Sequence, residues 1–165
     1  MDRRNVLILA ILGAGICSIS LALFWPESDE ERISSLLHDL AHAVSFSEPI
    51  ENPVFYGSAL ANRLEPYLTE QVQVDVHDVR AQVPRDRGQM AIAAAVALAR
   101  YGSLDVTLSE VSIEMQDGGA RATASARVIA NEGGTLRSES RNVHFVVSKE
   151  DGDFKVSAVR ADDPQ

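Results

Sequence analysis

An uncharged apolar segment occupies residues 6–25 of the sequence. Twenty residues in an α-helix rise about 30 Å, which matches the thickness of the hydrocarbon core of a bilayer. The segment therefore predicts a transmembrane helix, and it places everything after residue 25 of the 165-residue chain on one side of a membrane. The length that remains suits a single folded domain.

The charges that flank the apolar segment predict its orientation. Arg3 and Arg4 precede it, and an acidic stretch at residues 27–31 follows it. Because basic residues tend to stay on the cytoplasmic side, we expect the body of the protein outside the cytoplasmic membrane, in a periplasmic or extracellular location. The expected division is a cytoplasmic N-terminus at residues 1–5, one transmembrane helix at 6–25 and an exported domain at 26–165.

Two other interpretations of the apolar segment stay open. A cleaved signal peptide would have a shorter apolar core and small residues before the cut, whereas this run ends in Leu23, Phe24 and Trp25. A lipoprotein would be modified at Cys17, but the bulky Ile16 precedes that residue where a small one is expected. A retained anchor is the preferred interpretation.

The charge of the chain limits its partners. Its net charge is −9, and Lys149 and Lys155 are its only lysines. Since nucleic-acid backbones are bound by clustered basic residues, no nucleic-acid partner is expected. Cys17 is the single cysteine, so the sequence predicts neither an intramolecular disulfide nor a metal site built on cysteines.

Two amphipathic helices are predicted after the apolar segment. Ser28 and Glu31 form a capping-box signature, and apolar residues then recur at helical spacing to about residue 45. Asn52 followed by Pro53 is typical of the start of a second helix. The apolar residues that this second helix carries are Phe55, Leu60 and Leu64.

A third helix is predicted over residues 90–99. Asp86 and Gln89 can cap its start, and Gly102 can end it. Every residue from 90 to 99 is apolar, so we expect this helix to be buried on all sides. It is too short for a second membrane crossing.

The remaining segments predict β-strands. Valines alternate with polar residues over 72–76, with a continuation as far as residue 83. From residue 104 onwards the apolar alternation changes parity near Ser109, which predicts a β-bulge. Glycines then divide the chain into an antiparallel meander whose last strand covers 154–160. Five alanines and Val128, at alternate positions from 120 to 130, form a small-sided face that leaves room for a close helix or a cavity.

The order of these elements resembles the nuclear transport factor 2-like superfamily, also called SnoaL-like, over about residues 28–162. Residues 61–64, 88–99 and the hairpin at 151–156 carry the resemblance. It implies an α+β fold, in which a cone-shaped, curved antiparallel sheet wraps around about three helices, here preceded by one transmembrane helix. The superfamily includes isomerases, dehydratases, polyketide cyclases and non-catalytic binding modules, so the fold does not select a function.

Enzymes that this chain resembles often use an aspartate on or beside the first strand as a general base, with a tyrosine donating to an oxyanion across the cavity. The resemblance makes Asp75, Asp78 and Tyr101 the catalytic candidates. Alternation argues against Asp75, because the valines at 72–76 share the opposite face. The further residues considered for this role are Tyr56, His77 and His144, of which the two histidines also face outward by alternation.

A histidine pair on the first helix is a candidate metal site. His38 and His42 have the spacing that can place two imidazoles on one metal. They lie opposite the apolar stripe of the helix, and neither a third ligand nor an adjacent glutamate accompanies them. No metal and no cofactor is therefore expected.

The preferred hypothesis is a membrane-anchored, non-catalytic interaction or ligand-binding module. The alternative is a small-molecule isomerase, lyase or cyclase that uses a cavity carboxylate as general base. A cavity lined by alanine and valine without titratable groups would favour the module, and an inward carboxylate opposite Tyr101 or Tyr56 would favour the enzyme.

The expected partners are the membrane, through residues 6–25, an envelope protein or a small apolar ligand, and a second copy of the chain. Ile129, Val146 and Val159 are expected on the outer face of the sheet. Because an antiparallel sheet that is covered on one side normally has a polar second face, these three residues suggest a homodimer through that face.

Overall fold

The computed structural model describes residues 27–76 and 86–162. The predicted anchor at 6–25 and residues 77–85 lie outside this part of the chain. The described helices are α1 (Asp29–Val44), α2 (Pro53–Leu64) and α3 (Arg87–Leu98). The strands are β1 (Leu68–Val76), β2 (Ser103–Gln116), β3 (Gly119–Glu132), β4 (Thr135–Glu150) and β5 (Asp153–Ala161). None of these described helices combines the length and apolar character needed to span a membrane.

All three helices begin where the capping residues predict. The Ser28 hydroxyl accepts from the Glu31 backbone N–H at 3.2 Å, and the Glu31 carboxylate accepts from the Ser28 N–H at 2.9 Å. Asn52 and Asp86 each accept from the backbone N–H three residues further on. These bonds satisfy N–H groups that have no partner inside a helix, so the predicted helix starts are confirmed.

The five strands form one sheet in the order β1-β5-β4-β3-β2. Strands β2 to β5 pair as an antiparallel meander, which confirms the glycine-based prediction. Strand β1 runs parallel to β5, so the sheet is mixed and not fully antiparallel as expected. Strand β1 precedes the meander in sequence and lies at the edge of the sheet, beside the meander's last strand.

The predicted bulge in β2 is confirmed. The pairing register of β2 with β3 shifts between Ser109 and Ser112, and Glu110 has a φ of 53° there. The extra residue lets Leu108 and Ile113 lie on the same face although their parities differ. A bulge of this kind bends the strand locally.

The core lies between α1, α2 and the inner face of the sheet. Ile33 and Leu37 of α1 are fully buried, whereas His38 and His42 are exposed on the opposite side, as the helical periodicity predicts. The buried side chains that the sheet contributes include Val72, Ala122, Ala124, Ala126, Phe145, Val147 and Val156.

Helix α3 differs from its prediction. Ala91 and Ala95 are buried, but Val96 is 60% exposed and Ile92 is 37% exposed. An apolar sequence on all sides shows no preferred face, so the side that packs was decided by neighbouring elements. The expectation of burial all round was wrong.

Helix α2 also exposes an apolar residue. Leu60 and Leu64 are buried, but Phe55 is 77% exposed. Leu60 is five positions after Phe55, and at about 3.6 residues per turn this spacing puts them on different sides of a helix. Phe55 therefore does not belong to the buried stripe.

Helices α2 and α3 approach closely at a glycine. A Cβ atom added to Gly57 would lie 2.7 Å from the Cα atom of Ile92. Only a residue without a side chain allows the two backbones to come this near.

We predict that Gly57→Ala destabilises the domain by about 1–3 kcal/mol, because the added methyl group forces the two helices apart. The matched control is Gly88→Ala in α3, where the new Cβ would meet only the Asp86 side chain, at 3.2 Å. That substitution should stabilise by up to about 1 kcal/mol through helix propensity. Thermal unfolding of the full chain, followed by circular dichroism, measures both changes in stability. Equal melting temperatures for the two variants would contradict the close approach of α2 and α3.

A second pair of variants tests which side of α3 packs. Ala95→Asp would bury a carboxylate at a fully buried position and should cost about 3 kcal/mol or more. Val96→Asp, one residue further on, should cost less than about 1 kcal/mol because the site is exposed. Similar losses for the two variants in chemical denaturation would show that α3 is oriented differently.

Candidate functional site

A cavity of about 830 Å³ lies between the helices and the inner face of the sheet. All three helices and all five strands contribute to its wall. The wall is almost entirely aliphatic, with side chains such as Leu40, Leu60, Val72, Val106 and Val128. Its size is within the range of small-molecule sites.

Small side chains on two facing walls keep this space open. Ala126 lies on the β3 wall, and Ala93, Ala94 and Ala97 lie on the α3 wall. An alanine side chain extends only one carbon from the backbone, so the two walls do not meet. Of the small-sided face of β3, Ala126 borders the cavity, whereas Ala120, Ala122 and Ala124 belong to the packed core.

Two charged residues, Glu139 and Arg141, also line the cavity. They share the inner face of β4 with Val143 because alternate residues of a strand point the same way. Arg141 Nε donates a hydrogen bond to Glu139 Oε1, which makes the two side chains an ion pair. The Arg141 side chain is 24% exposed and that of Glu139 48%, so the pair lies where the cavity meets solvent.

Sequence reasoning did not single out this pair. The signal available was the parity that Glu139 and Arg141 share with Val143 and Phe145. The segment 135–142 has polar residues at both parities, which is typical of a strand exposed on both faces, and this pattern concealed the inward direction of the pair.

The structure places Asp75 away from the cavity. Asp75 is exposed, whereas its neighbour Val74 lines the cavity, so alternation predicts the outward direction correctly. Asp75 lines a groove of about 770 Å³ on the outer face of the sheet, together with His144. His144 Nε2 lies 3.0 Å from Asp162 Oδ2 in that groove.

The tyrosine candidates also lie outside the cavity wall. Tyr56 packs edge-to-face on Phe46, with ring centroids 6.0 Å apart. Tyr101 lies under the Arg100 guanidinium, whose carbon is 4.7 Å from the ring centroid. The structure therefore does not bring Asp75 and either tyrosine together, and Asp78 and His77 lie outside the described residues.

Within residues 27–76 and 86–162, no group of three or more histidine, cysteine, aspartate or glutamate residues is arranged to hold a metal ion. His38 and His42 are both exposed on α1. Among the described residues of the cavity wall, the charged groups are those of the Glu139–Arg141 pair.

The outer face of the sheet differs from the expectation at β5. Val146 pairs with Ala158 but Val147 pairs with Val156, so β5 has one extra residue. This bulge turns Val159 to the inner face, where it lines the cavity, and its predicted place on the outer face was wrong. Val146, which is 43% exposed, stays on the outer face.

No protein-family model and no curated protein matches the sequence significantly. Solved structures do match. One is a nuclear transport factor 2-like protein with a cystatin-like fold from Novosphingobium aromaticivorans, with 16% identity, a TM-score of 0.58 and coverage of 93% of this chain and 88% of that chain.

Two further structures show the same likeness. A Cytophaga hutchinsonii nuclear transport factor 2-like protein has 15% identity and a TM-score of 0.59 over 81% of this chain and 97% of that chain. A Streptomyces avermitilis protein, provisionally named a dehydratase of the same family, has 16% identity and a TM-score of 0.61 over 83% of this chain and 96% of that chain. The chain therefore has the nuclear transport factor 2-like fold, which hosts more than one function.

Proposed function

We propose that this protein is a membrane-anchored, non-catalytic module that binds a small apolar molecule in the cavity of its nuclear transport factor 2-like domain. The observation that carries the proposal is the apolar wall of the cavity. Among the described residues that line this wall, only Glu139 and Arg141 are charged. An apolar wall with few polar groups is typical of small-molecule sites, and burial of apolar ligand surface supplies the binding free energy.

The position of the candidate base supports a non-catalytic role. A general base must lie within hydrogen-bond reach of the proton that it removes. Asp75 faces the outer groove, and Tyr56 and Tyr101 do not line the cavity. The cavity wall does carry one carboxylate, that of Glu139, but it is paired with Arg141 at the solvent boundary and neither tyrosine shares the wall with it.

The alternative is an isomerase, lyase or cyclase, with Asp75 or Asp78 as base and Tyr101 as donor. The provisional naming of structural neighbours as a dehydratase and a scytalone dehydratase favours this alternative. Under this alternative, Asp75→Asn or Asp78→Asn would abolish turnover.

We predict that N-phenyl-1-naphthylamine, a neutral apolar dye, binds the full chain in lipid nanodiscs saturably, after subtraction of the signal from empty nanodiscs. Ala97→Phe should weaken this binding at least about tenfold, because the ring occupies the cavity from its α3 wall. Dye fluorescence measures the affinity.

The matched control for this experiment is Ala59→Phe, since Ala59 is also an exposed helical alanine but does not line the cavity. Dye binding by this variant should equal that of the unmodified chain. Equal weakening by both substitutions, or by neither, would contradict binding in the cavity.

The anchor is proposed from residues 6–25, which carry no charge, and from the basic residues Arg3 and Arg4 before them. We predict that alkaline phosphatase fused after Gln165 is active in a bacterial host, because that enzyme requires export to fold. Activity of a cytoplasm-only reporter at the same position would contradict the orientation, and a mature chain that begins near Trp25 would contradict the anchor.

A further inference from the structure

We propose that Glu139 and Arg141 select a ligand whose apolar body ends in a neutral hydroxyl group. This inference rests on the proposed binding function and specifies the chemical class of the ligand. It follows from the position of the ion pair, from its remaining hydrogen-bonding capacity and from the balance of its charges.

The ion pair is the polar part of a cavity wall that is otherwise apolar over the described residues. In the pairing of β3 with β4, Arg141 is opposite Ala126 and Glu139 is opposite Val128, and all four line the cavity. A ligand that fills the aliphatic interior would therefore place its terminal group beside the pair, at the boundary with solvent.

The pair offers both a donor and an acceptor to that terminal group. Its hydrogen bond uses one of the five N–H groups of the Arg141 guanidinium and part of the acceptor capacity of the Glu139 carboxylate. A hydroxyl group both donates and accepts, so it can donate to Glu139 while it accepts from Arg141. Adjacent complementary charges leave this end of the cavity with no net charge to attract an ion.

Charged terminal groups fit the pair less well. A carboxylate on the ligand would bond to Arg141 but would lie beside the negative charge of Glu139. An ammonium group would bond to Glu139 but would lie beside the positive charge of Arg141. The Arg141 side chain is only 24% exposed, so solvent screens charges beside it less than at an open surface.

The test compares three probes that share a ten-carbon chain: 1-decanol, decanoate and decylammonium. Each displaces N-phenyl-1-naphthylamine from the full chain in nanodiscs at neutral pH, with partition into empty nanodiscs subtracted. We expect 1-decanol to bind at least about fivefold more tightly than either ion, because it alone satisfies both members of the pair.

Substitution of either charged residue should change the order of affinity of the three probes. Glu139→Gln removes the repulsion between Glu139 and the carboxylate of decanoate, and it leaves the charge of Arg141 uncompensated. The affinity for decanoate should therefore rise at least about tenfold relative to that for 1-decanol. Arg141→Gln should give the same relative gain to decylammonium. Arg127→Gln is the control, because Arg127 is exposed on the outer face of β3, and it should leave the order unchanged.

The outcomes separate this inference from the function on which it rests. If the dye binds in the cavity but the three decyl probes displace it equally, or if Glu139→Gln leaves their order unchanged, the hydroxyl preference is overturned and the binding function stands. If the dye does not bind the cavity, both are overturned.

Discussion

The alternating alanines on the inner face of β3 are the constraint on which the rest of the structure depends. Ala122, Ala124 and Ala126 are buried, and their short side chains let other elements lie close to the sheet. Ile33 and Leu37 of α1 are fully buried in the core that these alanines share. Near Ala126 the facing helix α3 is also rich in alanine, so this end is not filled and the cavity remains. The same small residues therefore provide both a compact core and an open site.

Two bulges determine which side chains reach the cavity, and only one could be predicted. In β2 the apolar positions change parity around Ser109, so the sequence itself shows where the extra residue lies. In β5 Ala158 keeps the parity of Val156 although it lies on the outer face, so the change of parity to Val159 does not show where the extra residue lies. Periodicity locates a bulge only where one face of the strand is clearly polar.

The same limit explains which parts of the site the sequence predicted. The outward direction of Asp75 and the room beside the alanines of β3 follow from alternation, and the structure agrees with both. Helix α3 has no polar face, so its packed side depends on α2, through the contact at Gly57. The inward direction of Arg141 depends on the register of a strand segment whose two faces are both polar. Such features are set by tertiary contacts that a local pattern does not contain.

Intermolecular nuclear Overhauser effects between bound N-phenyl-1-naphthylamine and the methyl groups of the full chain test the central claim most directly. Binding in the cavity predicts effects to Leu40, Val106 and Val128, which line its wall. Effects confined to exposed apolar residues outside the wall, such as Val54 and Leu136, would show that the dye binds the surface and that the cavity is not a binding site.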